Sequence, residues 1–328
     1  MSEQTSPLTL NSGVPSTPAG ADDALPQSKS RKLFDTPTGQ RTVAWLMHVL
    51  FEACRLTGRR FSSRFQADFA REVGPFFREH RIALENLALA FPEKPAEERA
   101  QILSNVWANL ARTMNDYAFL RELVAAFDPA RPDGGLLEHH GIEHVFALRD
   151  SGRPGIIFGA HVGNWELAAA VGRTLGIPIT ALYRPPANPH IAEEIERRRA
   201  FVDRLVVSGR GAALQVAAAL QSGRHIGVII DQRLQEGVPI PFFGRPAMSN
   251  PIVGILARLF DCPVHSARTI RLPGGRFRLE FSPPLDLPRD KKGRVDADAA
   301  NRMVHGIVED WVREYPDQWL WLHDRWKM

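Results

Sequence analysis

Two rhythms of apolar and polar positions divide the chain. Between about residues 61 and 126, apolar side chains recur at the three-to-four-residue spacing of helices with one buried face. Segment 81–91 (Arg-Ile-Ala-Leu-Glu-Asn-Leu-Ala-Leu-Ala-Phe) predicts a helix stopped by Pro92. Segment 96–115 predicts a second, with apolar positions 102, 103, 106, 107, 110 and 111 on one side. After about residue 150 short apolar runs alternate with helical stretches. Runs at 155–160, 177–183, 205–207 and 226–230 read as buried strands, with helices expected over 165–175, 191–201, 212–221, 251–260 and 297–315. Residues 231–244 read as a long loop. Segments 264–272 and 276–281, joined by Pro273, Gly274 and Gly275, predict an antiparallel hairpin. This alternation predicts an α/β fold, a mostly parallel mixed sheet flanked by helices, with an N-terminal helical extension.

Residues 43–56 read Val-Ala-Trp-Leu-Met-His-Val-Leu-Phe-Glu-Ala-Cys-Arg-Leu, too short and too often interrupted to span a bilayer, which takes about 20 apolar residues. His48, Glu52, Arg55 and Arg59 form one polar stripe at helical spacing. With Arg41 before it and Arg60 and Arg64 after it, the segment fits a helix lying in the interface of an anionic membrane. A core helix with one wet edge fits the same pattern. Residues 1–35 are rich in Ser, Thr, Pro and Gly and predict a disordered tail. Three regions follow: a tail over 1–35, a helical region over 36–126 with a membrane-associating helix near 43–57, and an α/β domain over 127–328.

Composition narrows the function. Forty-one basic against 37 acidic residues leave a net charge of +4, too little to argue for a nucleic-acid partner. The two cysteines, Cys54 and Cys262, lie far apart in apolar surroundings and predict buried side chains rather than a disulfide framework. His140-Gly-Ile-Glu-His144 imitates a zinc-binding string, but Gly141 breaks the helix that would present both histidines on one face. Gly209-Arg-Gly211 imitates a dinucleotide fingerprint, but Leu214 stands where the third glycine is required. There is no G-x-S-x-G elbow for a serine hydrolase.

Sites on such sheets gather at the carboxyl ends of strands. His161 and Asp231 each directly follow a predicted strand and so face one crevice. Asn164 is placed to cap the helix beginning at Trp165, which puts Glu166 in its first turn. Glu166 is then expected to accept a hydrogen bond from one His161 ring nitrogen, leaving the other as a general base. The spacing alone also allows a structural histidine and a capping glutamate. Asp231, with Gln232, is expected to orient an arginine or an acceptor group, unless it caps the following loop. Arg210, in Ser-Gly-Arg-Gly, is a similar candidate.

The segment Gly159-Ala-His-Val-Gly-Asn-Trp-Glu166 resembles the His-x4-Glu/Asp motif of the late lipid A acyltransferases, the lauroyl and myristoyl transferases. The resemblance extends through Glu85-Asn-Leu-Ala-Leu-Ala-Phe-Pro92, Tyr183-Arg-Pro-Pro-Ala-Asn-Pro189, Arg197-Arg-Arg199, Ile230-Asp-Gln232, Pro241-Phe-Phe-Gly244 and an ending from Tyr315 to Lys327, covering about residues 75–328. It implies a glycerolipid-acyltransferase-like fold. It also implies transfer of a fatty acyl chain from acyl carrier protein to a hydroxyl of a lipid A precursor, forming an acyloxyacyl group, with neither metal nor cofactor. His161 and Glu166 would be catalytic. Arg184 and Arg199 would bind substrate, guanidinium groups being suited to phosphates; interspersed Glu193, Glu194, Glu196 and Asp203 leave a solvated basic face open instead. The setting implied is the cytoplasmic face of the inner membrane, in contact with its lipid. Relatives usually carry a spanning anchor, from which the polar-striped helix departs. Two other readings remain: acyl transfer to another glycolipid or glycerophospholipid, and a non-catalytic lipid-binding protein at the membrane surface.

Overall fold

The computed structural model describes residues 36–199, 204–209 and 211–327. The tail expected over 1–35 and the candidate Arg210 lie outside the described residues. Helices come first: α1 (Pro37–Thr57), α2 (Arg59–Val73), α3 (Arg78–Ala90), α4 (Ala96–Asp116) and the short α5 (Leu120–Ala125). Thr36 caps α1, its hydroxyl accepting from the Gly39 amide, with Pro37 at the first helical position. No described helix is long and apolar enough to cross a membrane.

The alternating part follows: β1 (Leu137–His140), α6 (Ile142–Asp150), β2 (Ile156–Gly159), α7 (Trp165–Thr174), β3 (Ile179–Tyr183), α8 (Pro189–Arg198), β4 (Arg204–Val207), α9 (Ala212–Gln221) and β5 (His225–Ile229). A separate ribbon, β6 (Val238–Phe242) with β7 (Arg245–Ser249), precedes α10 (Ile252–Phe260), the hairpin β8 (Val264–Leu272) and β9 (Arg276–Phe281), and α11 (Ala297–Glu314). The main sheet has the order β1-β9-β8-β2-β5-β3-β4. All its neighbours are parallel except β8 and β9, so the mixed α/β class read from the sequence holds.

Two elements correct the sequence reading. The stretch expected to be loop holds β6, which pairs with β7 just beyond it; prolines at 239, 241 and 246 disguised this ribbon. A two-stranded ribbon tolerates them because only alternate residues must donate to the partner. The second is β1, four residues beside β9, too short for an alternating pattern to show. His140 ends β1 and His144 lies in α6, with Gly141 left-handed between them (φ 75°), so the zinc-like string is split across two elements.

Each face of the sheet carries its own apolar cluster. One gathers α3, α4, α9, α10, α11 and the C-terminal tryptophans; the other gathers Phe51 of α1 with α5, α6 and α7. Cys54 and Cys262 are both buried and free.

Candidate active site

Strand register builds the site. β2 and β5 pair in parallel with Gly159 opposite Ile229, so continuing both strands by two residues brings His161 alongside Asp231. Asp231 is fully buried and grips His161 twice. Its Oδ2 accepts the His161 backbone amide at 2.9 Å, and its Oδ1 lies 2.8 Å from the ring Nδ1. A carboxylate only accepts, so Nδ1 carries the hydrogen and Nε2 keeps its lone pair. Trp319 donates its indole N–H to Asp231 Oδ2 at 2.6 Å. Burial alone would raise the Asp231 carboxyl, but the His161 imidazole, by charge and hydrogen bond, holds it well below the usual carboxylate range.

This corrects the partner expected for His161. Its ring is held by Asp231, whereas both oxygens of buried Glu166 are turned to other groups. Asn164 caps α7 as expected, its side chain accepting from the Glu166 amide at 3.2 Å. The Glu166 carboxylate then accepts from the Tyr117 hydroxyl at 2.7 Å and from Arg199 Nε at 2.7 Å, with Arg199 Nη2 on its other oxygen. Arg199 Nη2 also reaches the Tyr117 hydroxyl at 3.0 Å, and its guanidinium lies over the Tyr183 ring. Burial would lower the Arg199 pKa; the facing Glu166 carboxylate outweighs it and raises the pKa above the ordinary value. Burial and the same carboxylate push the Tyr117 phenol upward, keeping it a proton donor. Arg199 is therefore committed to an internal pair rather than left free for phosphate.

Among the other candidates, Arg184 sits exposed just past β3 and has no ion pair among the described residues, and Gln232 is half-buried beside Asp231. Arg233, which the sequence reading passed over, follows them with its Nε buried and without a hydrogen-bond partner among the described residues. β3 and β5 are neighbours, so Arg184 and Arg233 both stand at the carboxyl end of the sheet, on the side of His161.

The loop between His161 and Glu166 is fixed from behind by residues that sequence reasoning missed. From α4, Thr113 and Asn109 donate to the Gly163 carbonyl at 3.0 and 3.3 Å, and buried Asp116 accepts from Asn164 Nδ2 at 3.0 Å. Arg271 of β8 pairs with Asp116 at 2.9 Å and bonds Asn109 and Thr113. The signal was present: 109, 113 and 116 form a polar stripe at i, i+4 and i+7, set on the buried side of α4. The C-terminal segment closes the other side, Leu320 donating to the His161 carbonyl and Gly163 to that of Gln318. Trp319 and Trp321 are fully buried, so the aromatic ending packs into the core.

A family model described as bacterial lipid A biosynthesis acyltransferase aligns with residues 29–328, all but the first 28 residues. The chain belongs to the bacterial lipid A biosynthesis acyltransferase family. Among curated relatives it is similar to the lipid A biosynthesis palmitoleoyltransferase of Escherichia coli K12, 26% identical over 77% of this chain and 80% of that enzyme. The lauroyltransferase of the same organism is 26% identical over 76% and 79%, and its myristoyltransferase 24% over 85% of both chains. This acyltransferase stands at comparable distance from relatives named for three different acyl chains, so identity singles out none of them.

Proposed function

We propose that the protein transfers a fatty acyl chain from acyl carrier protein to a hydroxyl of a lipid A precursor, forming an acyloxyacyl group, with His161 as general base and Asp231 as its orienting partner. Nε2 of His161 takes the proton of the acceptor hydroxyl as its oxygen attacks the thioester carbonyl. The tetrahedral intermediate collapses, the carbon–sulfur bond breaks, and the imidazolium returns the proton to the departing thiolate. Asp231 holds the ring in the tautomer with Nδ1 protonated and stabilises the imidazolium as it forms, the division of labour known from hydrolase triads. No metal or redox cofactor enters this scheme.

Glu166, with Arg199 and Tyr117, forms a buried clamp at the start of α7 that fixes the helix behind His161. Arg184 and Arg233 supply cationic groups at the strand ends for the phosphates of the acceptor or of the phosphopantetheine arm, with Gln232 beside them. Such substrates lie at a lipid surface, in keeping with work at the cytoplasmic face of the inner membrane.

The observation that carries this reading is the His161–Asp231 pair, set by strand register, in a chain matched to an acyltransferase family over nearly its whole length. The test is transfer from acyl-loaded carrier protein to a lipid A precursor, read by the mass of the product. His161→Ala should abolish it. Undiminished transfer by that variant, or transfer only to lysophosphatidic acid, would overturn the proposal.

A further inference from the structure

The two leading helices are built inside out. α1 turns its polar stripe toward the protein: His48 faces Glu194 at 3.7 Å, Glu52 faces Arg198 at 3.8 Å, and Arg55 bonds the Ala118 carbonyl and pairs with Glu122. Its apolar residues Trp45, Leu46 and Leu50 point outward. α2 repeats the inversion. Ser62 and Ala67 are buried and Gln66 donates to Asn115, while Phe61, Phe65 and Phe69, one per helical turn, stand 65%, 63% and 59% exposed. A protein that covered this face with its own chain would bury the phenylalanines and expose the serine and glutamine. Water does not reward this arrangement, since each exposed ring forgoes the gain of burial.

Charge says what covers the face. Residues 37–82 carry eight arginines against four carboxylates, and exposed Arg60 and Arg64 run as a ridge beside Phe61 and Phe65 on the same helix. Aromatic and cationic ridges side by side match a bilayer interface, apolar acyl chains below and anionic headgroups above. A second copy of the chain would bring the same arginines against each other, whereas the core of a protein–protein interface is depleted of charge.

We infer that the outward faces of α1 and α2, centred on Phe61, Phe65 and Phe69 and ringed by Arg60 and Arg64, form the docking surface for an anionic lipid bilayer, both helices lying in its plane. α2 packs on α4, whose Asn109, Thr113 and Asp116 hold the His161 loop, so the docking face lies one helix from the site. The inference deepens the lipid-surface setting proposed above, but its test reads no acyl transfer, so the two fail separately.

The test is flotation of the full chain with vesicles of phosphatidylethanolamine and phosphatidylglycerol, against phosphatidylcholine alone. The triple variant Phe61→Ser, Phe65→Ser, Phe69→Ser should lose on the order of 100-fold in partitioning to the anionic vesicles. Arg60→Gln with Arg64→Gln should lose on the order of tenfold and abolish the preference over phosphatidylcholine. Quenching by brominated lipid, taken as the difference between the wild type and Trp45→Phe, checks the same surface without touching α2, should the triple variant fail to fold. Unchanged partitioning of a folded triple variant would overturn the inference. So would unquenched Trp45, or a dimer that falls apart in sedimentation on losing the three phenylalanines while vesicle binding persists.

Discussion

Asp231 and Glu166 are both buried carboxylates near one loop, yet their neighbours assign them different work. Asp231 meets His161, whose charge would appear and disappear in the proposed proton transfer. Glu166 meets Arg199, whose charge is permanent. Asp231→Asn should therefore keep the fold while lowering turnover by about 10²–10⁴, because an amide that turns its NH2 toward Nδ1 favours the wrong tautomer. Steady-state rates on the purified variant check this, and a variant within twofold of wild type would remove Asp231 from the mechanism. Glu166→Gln should act first on stability, by about 3–5 kcal/mol, since it strands a buried guanidinium. Adding Arg199→Met to that variant should recover part of the loss in urea unfolding; additive losses would show that the pair is not coupled. The residue types were legible in the sequence, and so was the crevice shared by His161 and Asp231. Which carboxylate touches the imidazole was not. Glu166 is five residues from His161 and Asp231 is seventy, and only the pairing of β2 with β5, a non-local fact, decides between them.

Among the elements, the periodic signal found α7 to α11 and the strands β2 to β5, β8 and β9, but passed over α6 and failed where pattern and packing part company. The β6–β7 ribbon hid behind its prolines, and β1 is too short to register. The stripe on α1 was read correctly as a stripe, but periodicity cannot say whether a polar face turns to water or to a polar neighbour, and here Glu194 and Arg198 of α8 meet it. The loop carrying His161 shows how tightly elements constrain one another. Gly163 is left-handed (φ 58°), and a Cβ there would stand 2.0 Å from the Thr269 carbonyl oxygen. Gly163→Ala should thus destabilise by about 2 kcal/mol or more, through both backbone strain and displacement of β8. Gly306, inside α11, faces open space, and Gly306→Ala should stabilise by roughly 0.5–1 kcal/mol from helix propensity alone. Unfolding of both variants in denaturant checks the pair; equal effects at the two glycines would show that the contact with Thr269 does not constrain the loop.

For the whole molecule, the C-terminal segment acts as a strap that joins the N-terminal helices to the site. Asn86 of α3 donates to the carbonyls of Trp321 and His323, and Arg325 is buried against Ser249 and the Phe242 ring. That buried strap, with His305 of α11 near its Arg325, should make the fold sensitive to acid. Burial, joined by the neighbouring positive charge of Arg325, lowers His323 and His305 to about 4 from the ordinary 6.5, so both are neutral when folded. Their folded pKa values lie below the unfolded ones, so the unfolded chain binds protons first as the pH falls. The stability they carry is complete above about pH 6.5 and is lost on the way down to about 4, roughly 3 kcal/mol for each histidine. Asp231, also depressed, adds a further loss only in stronger acid, below the ordinary carboxylate range. Thermal unfolding should accordingly be flat from about pH 8 to 7 and drop steeply between about 6.5 and 4.5. Replacing both histidines by glutamine should flatten that drop even if it lowers the midpoint at neutral pH, because the variant has nothing to protonate at those two positions. A slope unchanged in the double variant would place the acid sensitivity elsewhere, with buried His225 and His265, whose pKa values burial also lowers, the next groups to replace.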